Sequence, residues 1–344
     1  MRIGTRGSAL ALAQARLVAG LVEAHLAAAP TGTPIPVELV TIATAGDRDS
    51  AAEEAGSGSR HPVDEGLLAG GDKSRWVKEL ERALSAGEID LAVHSAKDVP
   101  GELAEGLTLL GAPARAPAED VLCVAGHSPR SSSDPSAAQT GLQGLPPGAR
   151  VGTGSVRRAA QLRAAREDLE VVAVRGNVDT RLRKLGEGAF DALVIARAGL
   201  VRLGREAEVT AVLDPARFVP SPGQGTLALE GRADDETTRA TAQAITDAKT
   251  FACLQAERAV AHALGASCNT PLGAHAYDYG CGCLHLRAWV GLPDGSAWVG
   301  DELLGGFYDP EALGRRVAER LASAGAGELL RQSAGSAITI GGHP

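Results

Sequence analysis

The sequence predicts an α/β protein: two similar lobes with mostly parallel sheets and a cleft between them, plus a smaller C-terminal α+β domain. Three observations carry this expectation. Ile3-Gly-Thr-Arg-Gly-Ser8 leads into an Ala/Leu-rich stretch, and Val151-Gly-Thr-Gly-Ser155 leads into another. A second echo pairs Leu84-Ser-Ala-Gly-Glu-Ile-Asp90 with Leu185-Gly-Glu-Gly-Ala-Phe-Asp191, each ahead of a short apolar run. After Gln224 the pattern changes to a long helix, a hairpin and a final helix. Repeated strand–turn–helix units build parallel sheets that hold ligands at the carboxyl ends of their strands.

In chain order, Arg2 to Thr5 reads as a strand, and after its Gly-containing turn Ser8 caps a helix from Ala9 to Leu26. Asp47 to Lys73 is rich in Gly, Ser and acidic residues and buries little apolar surface, so it reads as a mobile lid before a helix beginning near Trp76. Leu91 to His94 is a buried strand. Pro113 to Pro117 is a linker, and Ser128 to Pro147 a Ser/Pro/Gly-rich surface loop. Arg150 to Gly154 is a strand and turn, Ser155 a cap, Val156 to Arg166 a helix, and Ala192 to Ala196 a second buried strand. Pro220 to Gly225 is another linker. Thr250 caps a helix from Phe251 to Leu264 that Gly265 closes, and Leu284 to Gly300 is a hairpin turning at Pro293-Asp-Gly295. Asp309-Pro310 starts a helix with Leu313, Val317 and Leu321 on one face. The expected division is residues 1–113 with 226–244, residues 118–220, and residues 248–344.

At 344 residues and 44% hydrophobic, the chain has material for two to three cores. Aromatics at 3% argue against the stacking platforms of single-stranded nucleic-acid binding. The N-terminus enters a strand rather than a leader, and no later run reads as long enough to span a membrane; a cytoplasmic monomer is expected. Five cysteines, an odd number, suit reduced thiols better than a disulfide framework. Cys281-Gly-Cys283 lacks a matching second pair, so no metal is expected.

Against a net charge of −8, the stretch from Arg150 to Arg205 holds twelve Arg/Lys and six Asp/Glu. Eleven of the twelve are arginine, whose planar fork suits carboxylate or phosphate. A solvated helix face is the bland account of such a run. Arg157 and Arg158 argue otherwise, because in a first helical turn they oppose the positive end of the helix dipole unless an anion sits between them. Gly152-Thr-Gly-Ser-Val-Arg157 only superficially matches a dinucleotide fingerprint, since Arg157 stands at the third glycine. Lys97 and Asp98 lie just beyond the strand Leu91 to His94, where charge is either turn chemistry or function. Cys268 lies on a loop after Gly265, where most thiols are inert.

Taken together, Gly-Thr-Arg-Gly-Ser (4–8), Val-His-Ser-Ala-Lys-Asp-Val-Pro (93–100), Val-Gly-Thr-Gly-Ser-Val-Arg-Arg (151–158), Val-Arg-Gly-Asn-Val-Asp-Thr-Arg-Leu (174–182), Pro-Gly-Gln-Gly (222–225) and the Cys268 loop closely resemble the hydroxymethylbilane synthase, or porphobilinogen deaminase, family over nearly the whole chain. The resemblance implies two periplasmic-binding-protein-like lobes plus a third domain carrying a cysteine. It implies an enzyme that joins four porphobilinogen molecules head to tail on a dipyrromethane primer, with loss of ammonia, and frees the linear tetrapyrrole by hydrolysis. By matching position, Cys268 holds the primer through a thioether. Lys97, Thr153, Ser155, Arg157, Arg158, Arg175, Asn177 and Arg181 bind primer and growing chain, Arg6, Ser8 and Arg202 act on the substrate side, and Asp98 stabilises the cation formed when ammonia leaves. The carboxylates of each added porphobilinogen explain the arginine block.

Three features depart from the family pattern: the long 47–73 segment, Gly154 in place of a common Ser, and Trp76 in place of Phe. The competing reading of another class is a non-catalytic, two-lobed small-anion binding protein, since fold alone does not imply chemistry. A nucleic-acid module stands third, opposed by the net charge and the scarce aromatics.

Overall fold

A computed structural model describes residues 1–28, 36–42, 75–126, 141–267 and 269–339. The expected lid and the side chain of Trp76 lie outside the described residues, as do Cys268 and most of the 128–147 loop.

The first sheet contains β1 (Arg2–Arg6), β2 (Glu38–Ile42), β3 (Leu91–Ser95), β4 (Leu107–Gly111) and β10 (Leu227–Arg232), in the order β2-β1-β3-β10-β4. The second contains β5 (Asp120–Val124), β6 (Arg150–Thr153), β7 (Glu170–Ala173), β8 (Ala192–Ala196) and β9 (Ala211–Val212), in the order β7-β6-β8-β5-β9. The two orders correspond strand for strand. β1 pairs in parallel with β2 and β3 as β6 does with β7 and β8, while β10 and β5 run antiparallel to both neighbours. The odd strand of each sheet is the one by which the chain arrives from the other sheet. Lobe-to-lobe crossing therefore happens twice, through residues 112–119 and 213–226.

Helices follow the strands as the repeat requires. α1 (Ala9–Ala27) follows β1 and α3 (Val156–Ala165) follows β6, with α2 (Arg75–Ser85) leading into β3. α4 (Val178–Gly186) follows β7 and α5 (Arg197–Arg202) follows β8, while α6 (Glu236–Ala244) packs behind β4. Ser8 and Ser155 both cap as expected, accepting from Ala11 N at 3.3 Å and Arg158 N at 3.4 Å. One expectation is corrected here: α1, at 19 residues and mean hydropathy 1.3, does reach membrane-spanning length and composition. Its Ala15, Val18, Ala19 and Val22 are instead buried in the first lobe, the last three in a cluster with Ile3, Leu91 and Leu229.

The third unit begins with α7 (Ala248–Ala263), capped by Asp247 rather than Thr250, since the carboxylate accepts from Thr250 N at 2.7 Å. A three-stranded antiparallel sheet follows: β11 (Leu272–Gly280), β12 (Cys283–Gly291) and β13 (Trp298–Gly306). The turn at 293–295 is where expected, and β11 is the strand that reading by hairpins alone missed. α8 (Pro310–Ser323) buries Leu313, Val317 and Leu321 against α7 and this sheet, each side chain contributing about 1.5–3 kcal/mol of apolar transfer. α9 (Ala326–Thr339) closes the unit.

Candidate active site

Parallel strands place their carboxyl ends on one edge of a sheet, and the chemistry-bearing residues gather there. In the first lobe β1 ends at Arg6 with Ser8 just beyond it, and β3 runs into a 3-10 turn, Ala96–Asp98, that holds Lys97 and Asp98. In the second, β6 ends at Thr153 ahead of Ser155, β7 is followed by Arg175, Asn177 and Arg181, and β8 by α5 with Arg202. Thr153 is fully buried and accepts from Ser155 N at 3.3 Å; Asn177 caps α4 by accepting from Thr180 N at 2.9 Å. These two therefore shape turns. Arg175 is exposed.

The lobes meet at this edge. The Asp98 charge reaches Arg181 and favours its protonated form, while burial and the charge of Arg158 pull the Arg181 pKa down to about 10. Arg202 Nη2 donates to the Gly225 carbonyl at 2.6 Å, and burial lowers its pKa to about 10 as well. Both guanidinium groups thus stay charged at neutral pH, at a desolvation cost that an anion would offset. Arg202 Nε is buried with no hydrogen-bond partner among the described residues.

Arg157 and Arg158 are only 3% and 4% exposed. Arg157 Nη2 donates to Asp120 at 2.7 Å and its Nη1 to the Val219 carbonyl at 2.7 Å; Arg158 Nε donates to Asp120 at 2.9 Å and its Nη2 to Gln224 at 3.2 Å. Phe218 lies beneath the Arg157 guanidinium, 5.8 Å from ring centre. The anion that the helix start demanded is, in this structure, the protein's own Asp120 carboxylate. Burial would raise its pKa, but the two arginines and the Gln224 amide outweigh that and hold it at about 2. Much of the remaining arginine block is likewise engaged internally: Arg163 with the Pro293 carbonyl, Arg166 with Asp168, Arg183 with Glu187, and Arg205 with Asp179 and Glu208.

The two crossings are tied together beside the site. Arg115 Nε donates to the Gln224 carbonyl at 2.9 Å and its Nη1 pairs at 2.7 Å with Glu257 of α7, which also accepts from Gly223 N at 2.6 Å and Ala276 N at 2.7 Å. Gly223 and Gly225 have φ of +72° and +85°. A Cβ on Gly223 would fall 2.9 Å from Ala96 Cβ and 3.1 Å from Lys97 N, so only glycine lets the crossing press on the Asp98 turn. Gly154 has a different reason: its Cβ would meet the Val174 carbonyl oxygen at 2.6 Å and Arg181 Nη2 at 3.1 Å.

Asp120, Gln224, Arg115, Glu257 and Arg258 escaped assignment from sequence. The available signal was weak but present, a carboxylate opening the apolar strand Asp-Val-Leu-Cys-Val and the charged pair Glu257-Arg258 in the middle of α7. Cys268 itself lies outside the described residues; its flanks form a turn in which Ser267 N donates to Thr270 Oγ1 at 2.9 Å. Among the described residues no cluster of His, Cys, Asp and Glu is arranged to hold a metal.

Comparison with known proteins gives two family matches. The model described as porphobilinogen deaminase, dipyromethane cofactor binding domain, matches residues 1–240, and that of the porphobilinogen deaminase C-terminal domain matches residues 251–323. The chain is 42% identical over 332 residues to the porphobilinogen deaminase of Xanthomonas euvesicatoria pv. vesicatoria, covering 96% of this chain and 99% of the relative. It is 41% identical over 328 residues to that of Deinococcus radiodurans, covering 95% and 97%. Among solved structures, the periplasmic aliphatic sulphonate binding protein SsuA from Escherichia coli is similar over 76% of this chain and 69% of that one, at 18% identity and a TM-score of 0.37.

Proposed function

From the premise that the chain belongs to the porphobilinogen deaminase family, we propose how its residues divide the work. The reaction is that of a hydroxymethylbilane synthase: four porphobilinogen molecules are joined head to tail on a dipyrromethane cofactor, four ammonia molecules are released, and hydrolysis frees the product. The non-catalytic anion-binding reading is not favoured, because the match spans both the cofactor-binding and the C-terminal domains. We assign the first lobe to residues 1–113 with 226–244, the second to 118–220 and the cysteine-bearing domain to 248–344. We further read the enzyme as a transferase that works as a cytoplasmic monomer on a small molecule, without nucleic acid or membrane.

The observation that carries the site assignment is that Lys97 and Asp98 after β3, and Arg181 and Arg202 beyond β7 and β8, lie at the carboxyl ends of the strands where the lobes meet, close enough for the Asp98 charge to act on Arg181. It puts one carboxylate among several cations at the shared edge of both sheets. A cofactor rich in carboxylates fits that donor set, and Arg157 Nε and Arg202 Nε, both buried with no hydrogen-bond partner among the described residues, supply further unused donors. When bound, the dipyrromethane supplies the free pyrrole α-carbon on which the chain grows. Lys97, Ser155, Arg158, Arg175 and Arg181 would hold it, with Thr153 and Asn177 shaping the turns, and Cys268 would attach it. Arg157, whose Nη atoms are taken by Asp120 and Val219, keeps a buried Nε with no hydrogen-bond partner among the described residues and lies in the same wall. Arg6, Ser8 and Arg202 orient the carboxylates of incoming porphobilinogen. Asp98 stabilises positive charge as ammonia departs, a contribution worth several kcal/mol where water is excluded. Arginine forks fix the rings in attacking geometry and so lower the entropic part of the barrier.

The mass of the purified protein tests the assignment. Wild type should carry an adduct the size of two condensed pyrroles; Cys268→Ser should lose adduct and activity together, whereas Cys281→Ser and Cys283→Ser keep both. Active wild-type protein of unmodified mass would refute it.

A further inference from the structure

The turn bearing Lys97 and Asp98 is followed by an irregular stretch, residues 99–106, before β4 begins. Three of its successive carbonyls, those of Val99, Pro100 and Gly101, meet a single side chain. Arg258, on α7, donates from Nη2 to Pro100 and Gly101 at 2.8 and 3.0 Å and from Nη1 to Val99 at 3.3 Å. Helical spacing puts Phe251, Leu254 and Arg258 on one stripe of α7. Leu254 and Phe251 pack in the same cluster as Ala96 and Val99, so the stripe grips the apolar side of the turn while the guanidinium grips the backbone directly after it.

Behind the turn lies a buried polar group. Glu230, fully buried on β10, approaches His94 of β3 at 2.8 Å, and its charge favours protonated Arg258 against the burial that lowers that pKa. On the opposite flank Gly223 presses on Ala96 and Lys97 N, and its own N–H is held by Glu257, the neighbour of Arg258 in α7. Two successive residues of one third-domain helix therefore hold the crossing and the catalytic turn.

We propose that Arg258 is a positioning residue for Asp98, through which the domain that bears the cofactor cysteine sets the placement of the catalytic carboxylate. The proposal rests on the reading of Asp98 given above. A carboxylate that must face a developing charge tolerates little displacement: a misplacement of about 1 Å can cost about 100-fold in rate. Three backbone anchors from one planar fork restrain the turn in a way that no single point contact can.

The test is a double-mutant cycle on enzyme purified with its primer, the adduct confirmed by intact mass. Arg258→Gln and Arg258→Lys are compared in wild type and in Asp98→Glu, which keeps a carboxylate but moves it by one methylene. Arg258→Gln is expected to lower kcat by about 10- to 100-fold with KM and adduct unchanged, and Arg258→Lys to recover part of the loss. In Asp98→Glu the further loss should be under about threefold, because the carboxylate is already displaced. A full-sized further loss in that background overturns the proposal, as does normal kcat in folded, loaded Arg258→Gln. Loss of primer or of folding stability as the whole effect also overturns it, with Arg258→Lys deciding if Arg258→Gln does not fold. The reading of Asp98 fails separately, by normal turnover in Asp98→Asn.

Discussion

Replacing Asp120 by Asn keeps the shape of the side chain and removes the charge between Arg157 and Arg158. An aspartate held at about 2 instead of 3.8 corresponds to about 2 kcal/mol of native-state stabilisation at neutral pH. The variant loses more than this, since two guanidinium groups at 3% and 4% exposure are left without their counter-charge; breaking a buried pair costs about 3–5 kcal/mol. For a chain of this size that lowers the unfolding midpoint by about 5–15 °C. The pH dependence is a stricter test. Because the folded pKa is depressed, the stabilisation is complete above about pH 5 and fades as pH falls through 3.8 towards 2, with about half gone by pH 3. Urea unfolding of wild type and Asp120→Asn at a series of pH values should therefore show a gap that is wide at pH 7 and narrows on acidification. A gap below about 1 kcal/mol at pH 7, or one that stays constant down to pH 3, would refute the account of Asp120 as the buried counter-ion.

Asp98→Asn should lower turnover by about 100-fold or more while the adduct mass is retained, as expected for the loss of an electrostatic contribution in an excluded site; single-turnover kinetics on loaded enzyme check this, and near-wild-type rates would return Asp98 to a turn-forming role. Gly154→Ala should cost about 1–3 kcal/mol and raise KM for porphobilinogen, because the new Cβ must displace either the Val174 carbonyl or the Arg181 guanidinium. Unfolding and steady-state kinetics measure both, and unchanged values would mean that the approach to Gly154 is not tight.

The repeat was legible because it is local. Gly-Thr turn, serine cap and apolar helix follow one another within a dozen residues, and their physics needs no distant partner, so Ser8, Ser155 and the strands at Leu91 and Ala192 read directly from spacing. Lys97, Asp98 and Arg181 were legible as candidates for a related reason: parallel strands expose whatever follows their carboxyl ends. β11 was missed because an isolated strand next to a hairpin has no turn signal of its own, and the Thr250 cap was misassigned because Asp247 competes for the same helix start with a charged acceptor.

The arginine block marks the boundary between the two kinds of knowledge. Sequence alone determined that cations are concentrated between Arg150 and Arg205 and that those at the start of α3 need an anion. The partners of Arg157, Arg158 and Arg163 (Asp120, Gln224 and the Pro293 carbonyl) lie 37 to 130 positions away, and only the packed lobes bring them within hydrogen-bond distance. Tertiary structure therefore decided that Arg157 and Arg158 are buried around Asp120, and that Arg181 and Arg202 keep charge at the cleft edge. The physical reason is that charge in a low-dielectric interior is governed by its nearest partners, and those partners are a property of the fold and not of the local sequence.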